Sequence, residues 1–174
     1  MKRTPKTIIF ILALAVIVAV FFIPLLIGKS VPRSKAGLLE APPSKIGEMS
    51  LFNSVQGEEA LESINRLHGK KIKLHDGIVA HYEKDGKMAM VWIGLASDKG
   101  EAKALINQMV GRIRGGSKVF SFVKQFKTHG TEIFQLSGMG QRHFIYQKSD
   151  KVVWVSLDQK VKTKFLTDAM ATIK

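Results

Sequence analysis

Groups able to do acid–base or ligand chemistry are sparse in this chain. The five histidines are His68, His75, His81, His129 and His143, and there is no cysteine. Thiolate catalysis, thiolate metal sites and disulfides are therefore excluded. No His-x-His or His-x-x-x-His spacing occurs, and no carboxylate sits at ligand spacing beside a histidine. Metal or haem ligation would need His75, His81 and His143 to converge in space. Hydrolytic triads need a serine, a histidine and an acid in defined geometry, and no nucleophile elbow is present. The carboxylates fall on predicted helix surfaces (Glu58, Glu59, Glu62, Glu101, Asp168) or in predicted turns (Asp85, Asp150), where solvated charges belong. No pair of them suggests general acid–base work. The reading is of a protein that is not an enzyme and has no cofactor or metal.

One short stretch could bind an anion. Gly138-Met139-Gly140-Gln141-Arg142-His143 resembles a glycine-rich phosphate loop. Such a loop must open a helix, whereas a strand is expected here and the third glycine is missing, so dinucleotide binding is rejected. A tight turn or bulge is the simpler account, because glycine permits positive φ. The sharper one is a small anion site from Gly138 and Gly140 amides backed by Arg142 and His143.

Hairpin register supplies the other candidate site. Asp85-Gly86 between two extended runs signals a two-residue turn with positive φ. It sets Glu83 opposite Met88, His81 opposite Met90 and Val79 opposite Trp92. A similar turn at Ser149-Asp150 sets Gln147 opposite Val152, Ile145 opposite Trp154 and His143 opposite Ser156. Paired residues share a face. One face carries Ile78, Ala80, Tyr82, Val91, Ile93, Phe144, Tyr146, Val153, Val155 and Leu157, and reads as core. The other gathers His81, Met88, Met90, Trp92, His143, Ile145 and Trp154. It is too apolar for a solvated face and too polar for the main core. Methionine and tryptophan suit adaptable contacts, so this face is the candidate binding surface. The alternative is a sheet face packed by a loop or the linker.

These strands need helices to cover them. Ala60, Leu61, Ile64 and Leu67 recur at helical spacing from Glu58, with Gly69 as a stop. Ala102, Leu105, Ile106, Met109, Val110 and Ile113 form a stripe behind a Ser97 or Asp98 cap. Val161, Phe165, Leu166, Ala169 and Ile173 make a third from about Gln159 onward. A short strand is expected over 71–74, and a further hairpin over 120–137 about His129-Gly130. The expected fold is α+β: an N-terminal transmembrane helix, then a two-layer sandwich of an antiparallel sheet with helices on one face.

Ahead of this domain, Ile8 to Ile27 is an apolar run of twenty residues without charge or amide. As a helix it is about 30 Å long, the thickness of a hydrocarbon core. It is longer than a signal-peptide core, and Ser34-Lys35-Ala36 is a poorly placed cleavage site, so a retained anchor is expected. The organisation is then a basic tail over 1–7, a signal-anchor over 8–28, a Pro/Gly/Lys linker over 29–50 and a soluble domain over 51–174. Basic residues flank the run on both sides. The short tail favours a cytoplasmic N-terminus and a domain outside a bacterial inner membrane.

The chain of 174 residues carries net charge +13, and residues 51–174 carry +8. The lysines are scattered rather than gathered in a tract, which argues against nucleic acid as a partner. The functional expectation is a single-pass, membrane-anchored, non-enzymatic binding or assembly module. Its partners would be membrane lipid through the anchor and a protein or second copy through the sheet face. The rival is a small sensor for an anion, metal or haem using His81, His143, Arg142 and Trp92. A hydrolase comes third.

Overall fold

Four two-residue turns organise the sheet. Asp85-Gly86, His129-Gly130 and Met139-Gly140 each hold two consecutive residues at positive φ, and Ser149 opens the fourth turn at φ 55°. Tight turns of this hand match the twist of the strands they join. The computed structural model describes residues 38–68 and 71–174. The apolar run at 8–27, the tail and Gly69 lie outside the described residues. No helix among the described residues is long and apolar enough to cross a membrane.

The strands are β1 (Lys45–Ile46), β2 (Met49–Gln56), β3 (Asp76–Lys84), β4 (Lys87–Leu95), β5 (Phe120–Thr128), β6 (Thr131–Gly138), β7 (Gln141–Lys148) and β8 (Lys151–Asp158). The helices among the described residues are α1 (Glu58–His68), α2 (Lys99–Arg114) and α3 (Lys164–Thr172). All strands belong to one antiparallel sheet in the order β1-β2-β3-β4-β8-β7-β6-β5. The expected registers of the β3–β4 and β7–β8 hairpins are the observed ones. β4 and β8 pair at the centre of the sheet, although more than fifty residues separate them. Both are largely apolar on both faces, as interior strands are, although β4 leaves Met88, Met90 and Trp92 only half-buried on one of them.

The expected core face is the observed one. Ile78, Ala80, Tyr82, Val91, Ile93, Phe144, Tyr146, Val153, Val155 and Leu157 pack there against Phe165, Leu166 and Ala169 of α3. Helices on one face only, however, is corrected. A second cluster joins Ile106 and Val110 of α2 to Phe134, Leu136 and Ile145 on the opposite side of the sheet. Helix α1 lies on that side too, where Ile64 and Ala60 close directly over Gly77. The arrangement is helix, sheet, helix rather than two layers. An apolar stripe shows that a helix buries one side; it carries no information on which face of the sheet receives it.

Other boundaries shift. Residues 71–74 form no strand; instead Leu74 folds over Gly94, too close for a side chain there. Residues 159–163 are a loop, so α3 begins later than expected. The later part of the 29–50 segment belongs to the folded unit. Leu39, Ile46 and Met49 enter the core, the buried Asp76 carboxylate accepts the Leu39 N–H at 2.7 Å, and Tyr82 donates to the Pro43 carbonyl at 3.0 Å. Residues Ser34–Lys174 form one compact unit.

Candidate functional site

Strand pairing arranges the side of the sheet carrying α1 and α2 in rows. One row runs Asn53, His81, Met90, Ser156, His143, Leu136 and Phe122 across seven strands. The next runs Val55, Val79, Trp92, Trp154, Ile145, Phe134 and Gln125. All seven residues of the candidate surface therefore lie on one face, as hairpin register requires. Met88 is next to His81 and Met90 along the strands, and its N–H donates to the Asp158 carboxylate at 2.8 Å.

The helices divide this face. Under α2, Ile145 is fully buried and His143 nearly so, at 3% exposure. Trp154 lies at the edge of the same cluster. His81, Met88, Met90 and Trp92 are half-buried and belong to neither hydrophobic cluster. They occupy the part of the face between α1, which packs on β2 and β3, and α2, which packs on β5, β7 and β8. The candidate surface thus separates into an interior half and an accessible half.

His143 is a structural group. Its Nδ1 accepts the Trp154 indole N–H at 3.1 Å, and its Nε2 lies 2.9 Å from the Gly138 carbonyl. Only the neutral ring with its proton on Nε2 satisfies both bonds. Burial lowers its pKa, partly opposed by the Gly138 carbonyl. Phe120 and Trp154 stand edge-on to the ring, with centroids 4.9 and 5.6 Å away. No lone pair is left for a metal or haem iron, so the ligand role weighed for His143 does not fit its geometry. His81 differs. Burial lowers its pKa, but neither its ring nor the Trp92 indole has a hydrogen-bond partner among the described residues.

The anion loop does not assemble. Met139 and Gly140, at φ 52° and 74°, form the β6–β7 turn. Gly138 is glycine for steric reasons, since a Cβ there would meet the Phe120 ring and the Val119 carbonyl at 2.5 Å. Arg142 points to the α3 side of the sheet, where it donates to Thr163 Oγ1 at 2.9 Å and to the Val161 carbonyl. It pins the β8–α3 loop and is not beside the Gly138 amide. No group of three or more histidines and carboxylates able to hold a metal occurs among the described residues.

Sequence reasoning missed Phe120 and Phe122, which close the α2 side of the face, and the role of Asp76. It also missed Gly77 and Gly94, which pair across β3 and β4 and admit α1 and Leu74 close to the sheet. Glycine inside a strand pattern was the available signal for such an approach.

Comparison with known proteins bears on the fold alone. No protein-family model matches the chain, and no curated protein matches it. Among solved structures, the chain is similar to the extracellular domain of PknH from Mycobacterium tuberculosis. The match has a TM-score of 0.51 and 9% identity, and covers 73% of this chain and 84% of that one.

Proposed function

We propose that the protein is a single-pass, membrane-anchored, non-enzymatic binding or assembly module of bacterial inner-membrane type, with its folded unit outside the membrane. His81, Met88, Met90 and Trp92, with Trp154 at their edge, form the docking strip for a protein partner or a second copy. The observation that carries this reading is the placement of a tryptophan, two methionines and an unpartnered histidine, half-buried, at the middle of a sheet face flanked by helices. Tryptophan and methionine supply large adaptable contacts, and the free indole N–H and imidazole supply polar specificity. The apolar run at 8–27 supports the anchor, and the likeness to an extracellular domain supports a folded unit outside the membrane.

The test places a photo-crosslinking amino acid at Trp92 or Met90 of the full chain in cells. Adducts to one defined protein, or a crosslinked dimer, are expected there and not at exposed Asp85 in the β3–β4 turn. Equal labelling at all three positions, or none, would remove the proposal. The sensor reading rests on His81 alone, since it is the one of the two weighed sheet histidines with open nitrogens. A Soret band or a stoichiometric metal that disappears in His81→Ala would favour it.

A further inference from the structure

Strand β5 forms one edge of the sheet, four strands away from β4 and the docking strip. It is nine residues long, and among the described residues no strand pairs with its outer side. The two-residue turn at His129-Gly130 makes Thr128 and Thr131 a hydrogen-bonded pair, so alternation turns the N–H and C=O of Lys127 and Gln125 outward, away from β6. A bulge between Phe122 and Lys124 leaves Val123 without a partner and 49% exposed. The regular part of the open edge is therefore residues 124–128.

The charge along this edge has one sign. Residues 111–130 contain Arg112, Arg114, Lys118, Lys124 and Lys127 and no Asp or Glu. None of these five cations forms an ion pair among the described residues. Two of them cover aromatic rings that the edge leaves half-buried. The Arg114 guanidinium stands 4.1 Å from the Phe122 centroid, and Lys124 Nζ stands 5.3 Å from that of Phe126. Arg114 also donates to Gln125 Oε1 at 2.8 Å. The one acid in the β5–β6 pair is Glu132, which stands opposite Lys127 and accepts from Gln125 Nε2 at 2.7 Å.

We infer that the β5 edge takes up an extended acidic segment of a partner protein, which adds a strand to the sheet along residues 124–128. The outward N–H and C=O groups of Gln125 and Lys127 bond its backbone, as in other strand additions to an open edge. Val123 and the open flanks of Phe122 and Phe126 receive its apolar side chains, and Arg114, Lys124 and Lys127 its carboxylates. Charge decides the occupant. A second copy pairing edge to edge sets Lys124 and Lys127 of each strand among those of the other, and like charges across strands are destabilising. Lysines and a bulge on an edge keep identical sheets apart. The same lysines favour a strand of opposite charge.

The test mixes the full chain, in phosphatidylcholine nanodiscs, with a capped peptide of alternating aspartate and valine. Saturable binding is expected, with slower hydrogen exchange at the Gln125 and Lys127 amides and no change at Val55 on β2. Arg114→Gln, Lys124→Gln and Lys127→Gln should each weaken binding about two- to five-fold, the scale of one exposed ion pair. Lys127→Pro should weaken it more than Lys127→Gln, because the ring removes an outward donor and leaves the β5–β6 bonds intact. The same peptide with its amides N-methylated keeps its charge and should not bind, a readout that does not depend on the proline variant folding. Equal binding of a lysine–valine peptide, of the N-methylated peptide or of oligothymidylate would overturn the inference. So would unchanged exchange at Gln125 and Lys127, or slowing of those amides by phosphatidylglycerol in the nanodiscs without peptide. Crosslinking at Trp92 is read separately, so either proposal can fail alone.

Discussion

Acidification should loosen the protein through His143. The ring is neutral in the fold, with Nδ1 accepting from Trp154 and Nε2 donating to Gly138. Protonation places an N–H on Nδ1, so that two donors face one another 3.1 Å apart. The groups around the ring are Phe120, Leu136, Trp154 and Ser156, none of which carries a charge to compensate. Burial lowers the folded pKa below the ordinary 6.5. The unfolded chain therefore binds the proton first. The stabilisation is complete above 6.5 and is lost as pH falls from there through the depressed folded value. Within that window one such histidine costs at most about 1.4 kcal/mol per pH unit. For a chain of this size that lowers Tm by about 3–6 °C per unit. His81, whose pKa burial also lowers, adds to the slope in the same direction. The assay is thermal unfolding by circular dichroism from about pH 7.5 to pH 5, above the range where ordinary carboxylates titrate, with the Trp154 indole N–H followed by NMR. His143→Phe should be less stable near neutrality by about 1–3 kcal/mol, because the Gly138 carbonyl and the Trp154 N–H lose their partner. Its pH slope should nevertheless flatten, and His81→Phe should flatten the rest. A slope that survives in the double variant, or a His143 ring titrating at the ordinary value, would refute the reasoning.

The remaining expectations separate interior from surface. Trp154→Glu should destabilise the protein, since it removes the indole N–H that His143 accepts and sets a half-buried charge against that ring, whereas Met90→Glu should leave the circular dichroism spectrum unchanged and lower only partner binding or self-association. Ile106→Ala and Phe165→Ala should each cost about 2–5 kcal/mol by chemical denaturation, whereas Leu105→Ala, at a half-buried position outside both clusters, should cost clearly less. A fragment beginning at Ser34 should melt cooperatively. One beginning at Met49 lacks Leu39 and Ile46, leaves the buried Asp76 carboxylate without its Leu39 bond, and should melt far lower or not fold.

What could be read in the sequence was local. Asp85-Gly86 and Ser149-Asp150 announced their turns because positive φ restricts residue choice, and each turn then set its register by counting outward. The α2 stripe was legible for the same reason: a period of 3.6 is written in consecutive residues. Long-range choices left no such trace. Nothing near β4 or β8 states that they pair, and the register of one against the other follows only from closing the sheet. The segment before β2 reads as linker by its prolines, yet it is held by a few contacts: Leu39 and Ile46 in the core, the Leu39 N–H on Asp76 and the Tyr82 hydroxyl on the Pro43 carbonyl. Strand β2 was missed because a bulge between Leu51 and Asn53 breaks its alternation.

The candidate surface shows where local reading stops. His81 and His143 occupy the same row, and each sits beside a methionine or a serine with a tryptophan in the next row. By residue type they are equivalent, and register alone gives them the same role. Their environments differ because α2 crosses one half of the face and not the other. Under the helix, His143 loses water, gains two hydrogen bonds and becomes part of the core; beyond it, His81 keeps its nitrogens free and Trp92 its indole N–H. The position of one helix thus decides which half of an apolar sheet face is structural and which half can meet a partner.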